Sequence, residues 1–157
     1  MTVLQPIVRG ALWAGLGVAV LVTAGCAGWS QRSNVVLGGD KEVPQVTTTA
    51  SGTTDISARP TKCPGSQTSS VDCNGIHGNV WTTGIAATAV HVHQGAKDQN
   101  GPVIVTLYKV KDGEWAIPQG TTLNAAQYQA YWDGQLYVNV HSDANKGGEI
   151  RGQLVAQ

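Results

Sequence analysis

Two segments of the chain alternate apolar and polar residues in a way that predicts β-strands. Thr88–His93 reads Thr-Ala-Val-His-Val-His, and Tyr137–His141 reads Tyr-Val-Asn-Val-His. Residues two apart in a strand point to the same face of a sheet. If the valines face the core, then His91, His93 and His141 all project from the outer face of that sheet.

Short apolar runs separated by Gly, Asn and Asp recur along the rest of the chain and predict further strands. Residues 47–54 fit either a strand with one exposed face or a loop. The pattern favours an all-β fold, an antiparallel β-sandwich or Greek-key barrel of about seven or eight strands. The additional strand signals lie at Val35–Leu37, Val43–Val46, Gly78–Thr82, Val103–Tyr108 and Glu149–Val155.

One short helix is predicted over residues 125–133. Asn124 is a suitable N-cap residue, and Gly134 stands where a helix often ends. Tyr128 and Trp132 are four residues apart, so we expect them to share the buried face of this helix.

The N-terminal segment has the composition of a targeting sequence. Arg9 is the only charged side chain before residue 32, and residues 10–25 are apolar or small. This run is short for a transmembrane helix and fits the apolar region of a signal peptide. Leu21–Cys26 resembles the lipobox of bacterial lipoproteins, with Thr23 where leucine is usual. An ordinary secretory signal with a coincidental cysteine is the alternative.

The resemblance divides the chain into three parts. Residues 1–25 are the predicted signal peptide, 26–34 a tether that begins at the lipidated Cys26, and 35–157 the folded domain. We expect an exported protein anchored by lipid to the cell membrane or outer membrane, on its extracytoplasmic side. The 10 basic and 10 acidic residues balance, which argues against nucleic-acid binding and against a basic membrane-binding patch. Membrane contact would come from the lipid.

The two cysteines that follow Cys26 predict a disulfide. Cys63 and Cys73 lie in a polar segment, residues 58–75, that we interpret as a loop or hairpin. Export would place them in an oxidising compartment, and a bridge of this span is worth roughly 3 kcal/mol. A mixed metal site that includes the nearby His77 is a weaker alternative.

The three strand histidines are candidate metal ligands. Three of the 4 histidines in the chain are involved, and convergent imidazoles suit Zn²⁺ or Cu²⁺. Met1 is the sole methionine and would leave with the signal peptide, so ligands are limited to nitrogen and oxygen. Asp143 or Glu149 could add an oxygen ligand or accept a hydrogen bond from an imidazole. The histidines converge only if the two strands are neighbours or a loop bends between them.

Four blocks in order resemble a CHRD domain, a module named for its occurrence in chordin. The resemblance covers roughly residues 35–156 and implies a β-sandwich, but no biochemical activity is generally attached to the family. The blocks are Leu37–Val46, Ala89–Gly95, Asn100–Val105, and Tyr137–Ser142 together with Gly147–Leu154.

An enzymatic function is a remote alternative. The order His91, His93, His141, Arg151 is similar to that of copper/zinc superoxide dismutase, in which Arg151 would attract the anionic substrate. The chain lacks an obvious bridging histidine. It also lacks a Gly-x-Ser-x-Gly elbow, a P-loop and a dinucleotide fingerprint. We therefore lean against an enzyme.

Two hypotheses remain at this point. In the first, a lipid-anchored CHRD protein binds copper or zinc through the three histidines, with Glu149 and Arg151 as neighbours. In the second, the histidines are structural, Glu149 and Arg151 form a surface ion pair, and the domain is a non-catalytic envelope module that binds a protein or glycan. Candidate aromatic contacts for the second are Trp81, Trp115, Tyr131 and Trp132.

Overall fold

The computed structural model describes residues 34–65 and 73–156, and both the predicted signal peptide and the predicted lipidation site, Cys26, lie outside these ranges. No helix within the described ranges is long and apolar enough to cross a membrane. The described residues form one α-helix, α1 (Ala125–Trp132), and twelve strands. The strands are β1 (Val35–Leu37), β2 (Ser51–Thr54), β3 (Ser57–Thr61), β4 (Cys73–His77), β5 (Asn79–Thr83), β6 (Ala87–Gln94), β7 (Val103–Thr106), β8 (Tyr108–Lys111), β9 (Glu114–Ala116), β10 (Thr122–Leu123), β11 (Leu136–Ser142) and β12 (Ile150–Gln153).

These strands form three antiparallel sheets. One has five strands in the order β1-β2-β5-β9-β8, one has four in the order β12-β11-β6-β7, and one has three in the order β10-β4-β3. Gly38 and Arg151 exchange two backbone hydrogen bonds, of 3.0 and 3.1 Å, that join the end of β1 to β12. The predicted all-β sandwich with one helix is confirmed. The strands outnumber the seven or eight expected, because several have only two to four residues.

The core lies on the valine side of β6 and β11, as the alternation predicts. Val90, Val92, Val138 and Val140 each have no solvent exposure. They pack in one cluster with apolar side chains of the other two sheets. Burying a side chain of this size is worth roughly 1.5–3 kcal/mol, so this face fixes the register of both strands.

The helix begins where the sequence predicts. The Asn124 side chain accepts a hydrogen bond from the Gln127 amide at 2.8 Å, and the Gln127 side chain accepts one from the Asn124 amide at 3.0 Å. This reciprocal pair is a capping box. Gly134 follows with φ of 65°, the left-handed conformation that glycine adopts readily.

The buried face of α1 differs from the prediction. Trp132 is 50% exposed and Tyr128 is half-buried, whereas Ala130 and Tyr131 are buried. Tyr131 is also hydrogen-bonded to the backbone of Ala58 in β3, which turns its ring towards the sheet. The four-residue spacing of Tyr128 and Trp132 therefore does not decide which side chains of this helix are buried.

The strand predicted at residues 43–46 is wrong, because this segment is held by loop contacts. After a 3₁₀ turn at Gly39–Lys41, the chain runs on without pairing to another strand. The Val46 amide donates to the Gly39 carbonyl at 2.9 Å, and the Val43 carbonyl accepts from the Asn100 side chain at 2.6 Å. These contacts occupy backbone groups that a strand would use in a ladder.

The predicted disulfide between Cys63 and Cys73 is formed and links the β3–β4 hairpin. His77 lies at the other end of β4, where its Nε2 is 3.1 Å from the Ser57 hydroxyl. A mixed cysteine–histidine metal site is therefore excluded here, because the two sulfur atoms bond to each other.

Candidate metal centre

The three histidines meet because β6 and β11 are adjacent strands. In their antiparallel register His93 pairs with Tyr137, His91 with Asn139, and Ala89 with His141. His141 is thus a diagonal neighbour of His91 on the same face. One nitrogen from each histidine lies within 4.8 Å of the other two. The three histidines therefore do converge, which the sequence alone could not establish.

His93 presents an unsatisfied nitrogen to this cluster. Its Nδ1 lies 2.9 Å from the Gly101 carbonyl oxygen, which can only accept, so Nδ1 carries the proton. Nε2 then holds a lone pair. The side chain is 8% exposed, and Nε2 is buried without a hydrogen-bond partner. A buried acceptor without a partner costs about 1–3 kcal/mol of folding stability, so a ligand or proton donor bound to this nitrogen would stabilise the protein.

His141 is oriented in the same way. Its Nδ1 donates to the Lys146 carbonyl at 3.0 Å, which leaves the Nε2 lone pair free to accept. That Nε2 lies 3.0 Å from Nδ1 of His91. The Nδ1 proton of His91 therefore lies between the two rings. Fixing Nδ1–H on a carbonyl is how proteins commonly orient a metal-binding imidazole.

The spacing of two of the three nitrogens, those of His91 and His141, is close to that of a metal site. Two nitrogens bound at about 2.0–2.1 Å in tetrahedral geometry lie roughly 3.3 Å apart. The His91 and His141 nitrogens are 3.0 Å apart, and a metal ion between them would take the place of the shared proton. His91 and His141 are half-buried, so the cluster is reachable from solvent on their side.

Burial favours the uncharged imidazoles of His91 and His93. Desolvation lowers the pKa of His91, and the neighbouring His141 and His93 lower it further. Desolvation also lowers the pKa of His93; its bond to Gly101 opposes this shift, and His141 and Arg151 add to it. Both rings are therefore neutral at pH 7, which is the state that binds metal.

A stack of three side chains supports the cluster from behind. The ring of Tyr137 lies 10° from the plane of His93 with centroids 4.9 Å apart, and the Arg151 guanidinium carbon is 3.5 Å from the Tyr137 centroid. Because β11 lies between β6 and β12, His93 and Arg151 approach Tyr137 from opposite sides. Tyr137 and Arg151 are almost fully buried, at 1% and 2% exposed.

The loop between β6 and β7 closes over this face and depends on a glycine. The Gly101 amide donates to the Tyr137 hydroxyl at 3.1 Å, while its carbonyl holds His93. A Cβ atom at Gly101 would overlap the Gln94 carbonyl oxygen. Sequence reasoning missed this residue, because close backbone approach leaves no signal in a single sequence.

The CHRD domain profile matches residues 33–154 of the chain. The chain belongs to the CHRD domain family. No curated protein and no solved structure gives a match. The histidine segments of this CHRD domain fall inside the matched range.

The predicted surface ion pair of Glu149 and Arg151 is wrong. In this CHRD domain the side chains of Glu149 and Arg151 are both buried, and neither is hydrogen-bonded to the three imidazoles. Glu149 accepts from the hydroxyls of Thr48, at 2.7 Å, and Ser142. The bond from Ser142 is the main reason that the pKa of Glu149 lies below its usual value. The two residues take different partners because loops cover the face on which they lie.

Arg151 is built into the CHRD domain in a way that excludes capture of an anion from solvent. Its Nη2 donates to the Ala96 and Gln99 carbonyls, each at 3.0 Å, and the side chain is 2% exposed. Arg151 therefore cannot steer an anionic substrate as the comparison with superoxide dismutase would require.

The other candidate residues lie away from the cluster. Asp143 is exposed and does not join the three histidines; it lines a cavity of about 490 Å³ beside Lys109 and Trp115. Of the four aromatic residues proposed as a platform, Trp115 and Tyr131 are buried, while Trp81 and Trp132 are exposed. The CHRD domain thus keeps only two of them for surface contacts, on β5 and α1.

Proposed function

We propose that this CHRD domain binds a copper or zinc ion through His91, His93 and His141. The observation that carries the proposal is the buried Nε2 of His93, which has no partner while its Nδ1 is fixed on Gly101. A structural histidine normally satisfies its buried nitrogens. Here the unpartnered nitrogen belongs to a group of three whose ligand atoms lie within 4.8 Å of one another.

The chemistry of the three side chains supports the same function. The carbonyls of Gly101 and Lys146 hold two imidazoles with Nε2 directed away from the backbone. The lowered pKa values of His91 and His93 mean that a metal ion displaces little bound proton at pH 7. The three imidazole nitrogens suit copper and zinc better than magnesium or calcium, which prefer oxygen.

Metal content of the full chain, purified in detergent after growth with copper or zinc, tests this function. We expect close to one ion per chain in the wild type and loss of that ion in His93→Ala. His77→Ala is the matched control, because His77 is exposed and bonded to Ser57, outside the cluster. Absence of metal from the wild type, or equal loss in both variants, would overturn the proposal.

The protein is further proposed to be exported and attached to the membrane through lipid on Cys26. The sequence before Cys26 supports this, because a short apolar run leads directly to Ala-Gly-Cys. The family match begins at residue 33, so only a short segment would separate the lipid from the domain. Two acyl chains on one cysteine provide stable attachment, where a single chain is marginal.

Cell fractionation of a Cys26→Ser variant tests the anchor independently of the metal. We expect the wild type in the detergent-soluble membrane fraction, with a mass increase on its N-terminal peptide. The variant should lose both. Membrane association that persists unchanged in Cys26→Ser would contradict lipid anchoring through this residue.

The second candidate is a non-catalytic binding module without metal. Two observations support this alternative. His91, His93 and His141 already make hydrogen bonds within the protein. Trp81 and Trp132 are exposed and could contact a partner. A wild-type protein that takes up neither ion, yet loses partner binding in Trp132→Ala, would favour this function over metal binding.

A further inference from the structure

The outer face of the five-stranded sheet carries exposed apolar and aromatic side chains in register with one another. Val36 on β1 pairs with Thr53 on β2, and Thr53 pairs with Trp81 on β5. Directly paired residues of antiparallel strands lie on the same face of a sheet. Val36 is 58% exposed and Trp81 is 39% exposed, so this row of side chains is open to solvent.

The same face continues to the opposite edge of the sheet. Asn79, two residues before Trp81 in β5, pairs with Ala116 on β9, and Ala116 pairs with Tyr108 on β8. Tyr108 therefore shares the face with Trp81, and its side chain is 52% exposed. Four strand spacings separate β1 from β8, which makes this face roughly 19 Å wide.

The charge on this row of side chains is compensated. Its acidic residue, Glu114, pairs with Trp81 across the strands and forms an ion pair with Lys111 at 3.1 Å. Hydroxyl groups adjoin the indole, since the side-chain oxygens of Ser51 and Thr83 lie 3.1 Å apart on the strands that carry the row. Tryptophan and tyrosine favour the headgroup region of a bilayer, where one end of the side chain meets hydrocarbon and the other meets water.

The chain that precedes the domain restricts which face can meet a membrane. Eight residues, 27–34, separate Cys26 from β1. Fully extended, they would reach at most about 29 Å, which is less than the diameter of roughly 35 Å expected for a compact domain of this size. Because β1 is an edge strand of the five-stranded sheet and carries Val36, a lipid on Cys26 would hold this edge close to the bilayer.

We infer that the outer face of the five-stranded sheet, with Val36, Trp81 and Tyr108, lies on the surface of the bilayer that holds the Cys26 lipid. This inference rests on the proposed lipid anchor and adds the orientation of the domain. The three side chains are too few to hold the protein on a membrane by themselves. The anchor supplies the local concentration that makes this weak contact effective.

The orientation has a consequence for the candidate metal centre. Val80 of β5 and Val90 of β6 pack in one buried cluster, so the five-stranded and four-stranded sheets share a core through their inner faces. Their outer faces therefore point in opposite directions. His91 and His93 lie on the outer face of the four-stranded sheet, and a domain oriented in this way opens the three-histidine cluster away from the membrane.

Quenching of tryptophan fluorescence by brominated lipid tests this orientation. The lipidated protein is placed in phosphatidylcholine vesicles in which part of the lipid carries bromine on its acyl chains. Every protein also carries Trp29→Phe, which removes the tryptophan before the domain. We expect Trp81→Phe to abolish most of the quenching. Trp132→Phe should retain it, because Trp132 is 50% exposed but lies on α1. Equal quenching in the two variants would overturn the inference.

A pair of variants at Thr53 tests the contact without removing a tryptophan. Thr53 is exposed and lies between Val36 and Trp81 in the row. Thr53→Asp adds a charge that would lose water where the face meets the bilayer, so the quenching of Trp81 should fall. Thr53→Asn is the neutral control of similar shape and should be quenched nearly as the unsubstituted protein is. Two folded variants with equal quenching would contradict contact through this face.

The same samples separate the orientation from the anchor. The mass of the N-terminal peptide shows whether Cys26 carries lipid. A lipidated protein in which Trp81 is not quenched would overturn the orientation and leave the anchor intact, whereas a protein without lipid would overturn both. A dimer in sedimentation experiments whose contact buries Trp81 would assign this face to a second copy of the chain and would also overturn the inference.

Discussion

His93 and Tyr137 lie face to face across β6 and β11, with ring planes 10° apart and centroids 4.9 Å apart. Each is also tied to Gly101, His93 through the carbonyl and Tyr137 through the amide. One loop residue thus fixes two side chains of adjacent strands. Ligands carried on strands and locked by neighbouring groups keep their geometry better than ligands on loops.

Removal of the His93 ring should destabilise the metal-free protein. His93→Ala loses the stack on Tyr137 and leaves the Gly101 carbonyl unpaired, and together these should cost about 2 kcal/mol. Urea unfolding measures the change. His77→Ala, at an exposed position, should stay within about 0.5 kcal/mol of wild type. Equal losses in the two variants would mean that the stack contributes nothing.

Gly101 should tolerate no side chain. A Cβ atom there overlaps the Gln94 carbonyl oxygen, so Gly101→Ala forces the loop away from Tyr137 and His93. We expect a loss of at least about 2 kcal/mol in unfolding free energy, together with weaker metal binding. Gly147→Ala is the control, since a Cβ atom there meets nothing within 4 Å. Wild-type metal affinity in Gly101→Ala would show that the loop does not position the ligands.

Glu42 should make stability depend on pH. Its side chain is 5% exposed, Oε1 has no hydrogen-bond partner, and desolvation raises its pKa from 4.5 to about 7, against the opposing effects of Arg151, the Val43 backbone and Asn139. The folded state therefore binds this proton more tightly than the unfolded state. The stabilisation is complete below pH 4.5 and is lost as pH rises through about 7.

Urea unfolding at pH 5 and pH 8 compares wild type with Glu42→Gln. Between these values the wild type should lose up to about 3 kcal/mol more than the variant, because glutamine has no proton to release. Other titrating groups are common to both proteins and cancel in the difference. Parallel changes in the two proteins would show that Glu42 titrates normally.

The disulfide should stabilise the fold without affecting the proposed metal centre. The double variant Cys63→Ala, Cys73→Ala should lose roughly 3 kcal/mol, since the unfolded chain gains freedom when the loop is opened. Its metal affinity should match that of wild type, because the β3–β4 hairpin belongs to a different sheet from β6 and β11. A large fall in affinity would contradict this separation.

Alternation along the strands was sufficient to predict that His91 and His93 share the face of the sheet opposite the core valines. With Val90 and Val92 in the core, the strand period leaves His91 and His93 on the other face. The register that places His141 diagonal to His91 could not be predicted, because it depends on β6 and β11 being neighbours in the sheet.

The sequence also did not predict that loops cover the face of the sheet that carries the histidines. Arg151 and Glu149 were expected at the surface, and the burial of both depends on loops whose paths follow from distant contacts. One such contact is the hydrogen bond from Asn100 to Val43. Periodicity identifies which face a residue is on, but it cannot identify what packs over that face.

Nitrogen NMR of histidine side chains tests the central claim most directly. In the metal-free protein we expect His93 and His141 as Nδ1–H tautomers, from their bonds to Gly101 and Lys146. One equivalent of Zn²⁺, which is diamagnetic, should shift Nε2 of both residues and Nδ1 of His91, and leave His77 unchanged. Spectra in which His91, His93 and His141 do not respond, or respond no more than His77, would contradict a metal centre at this site.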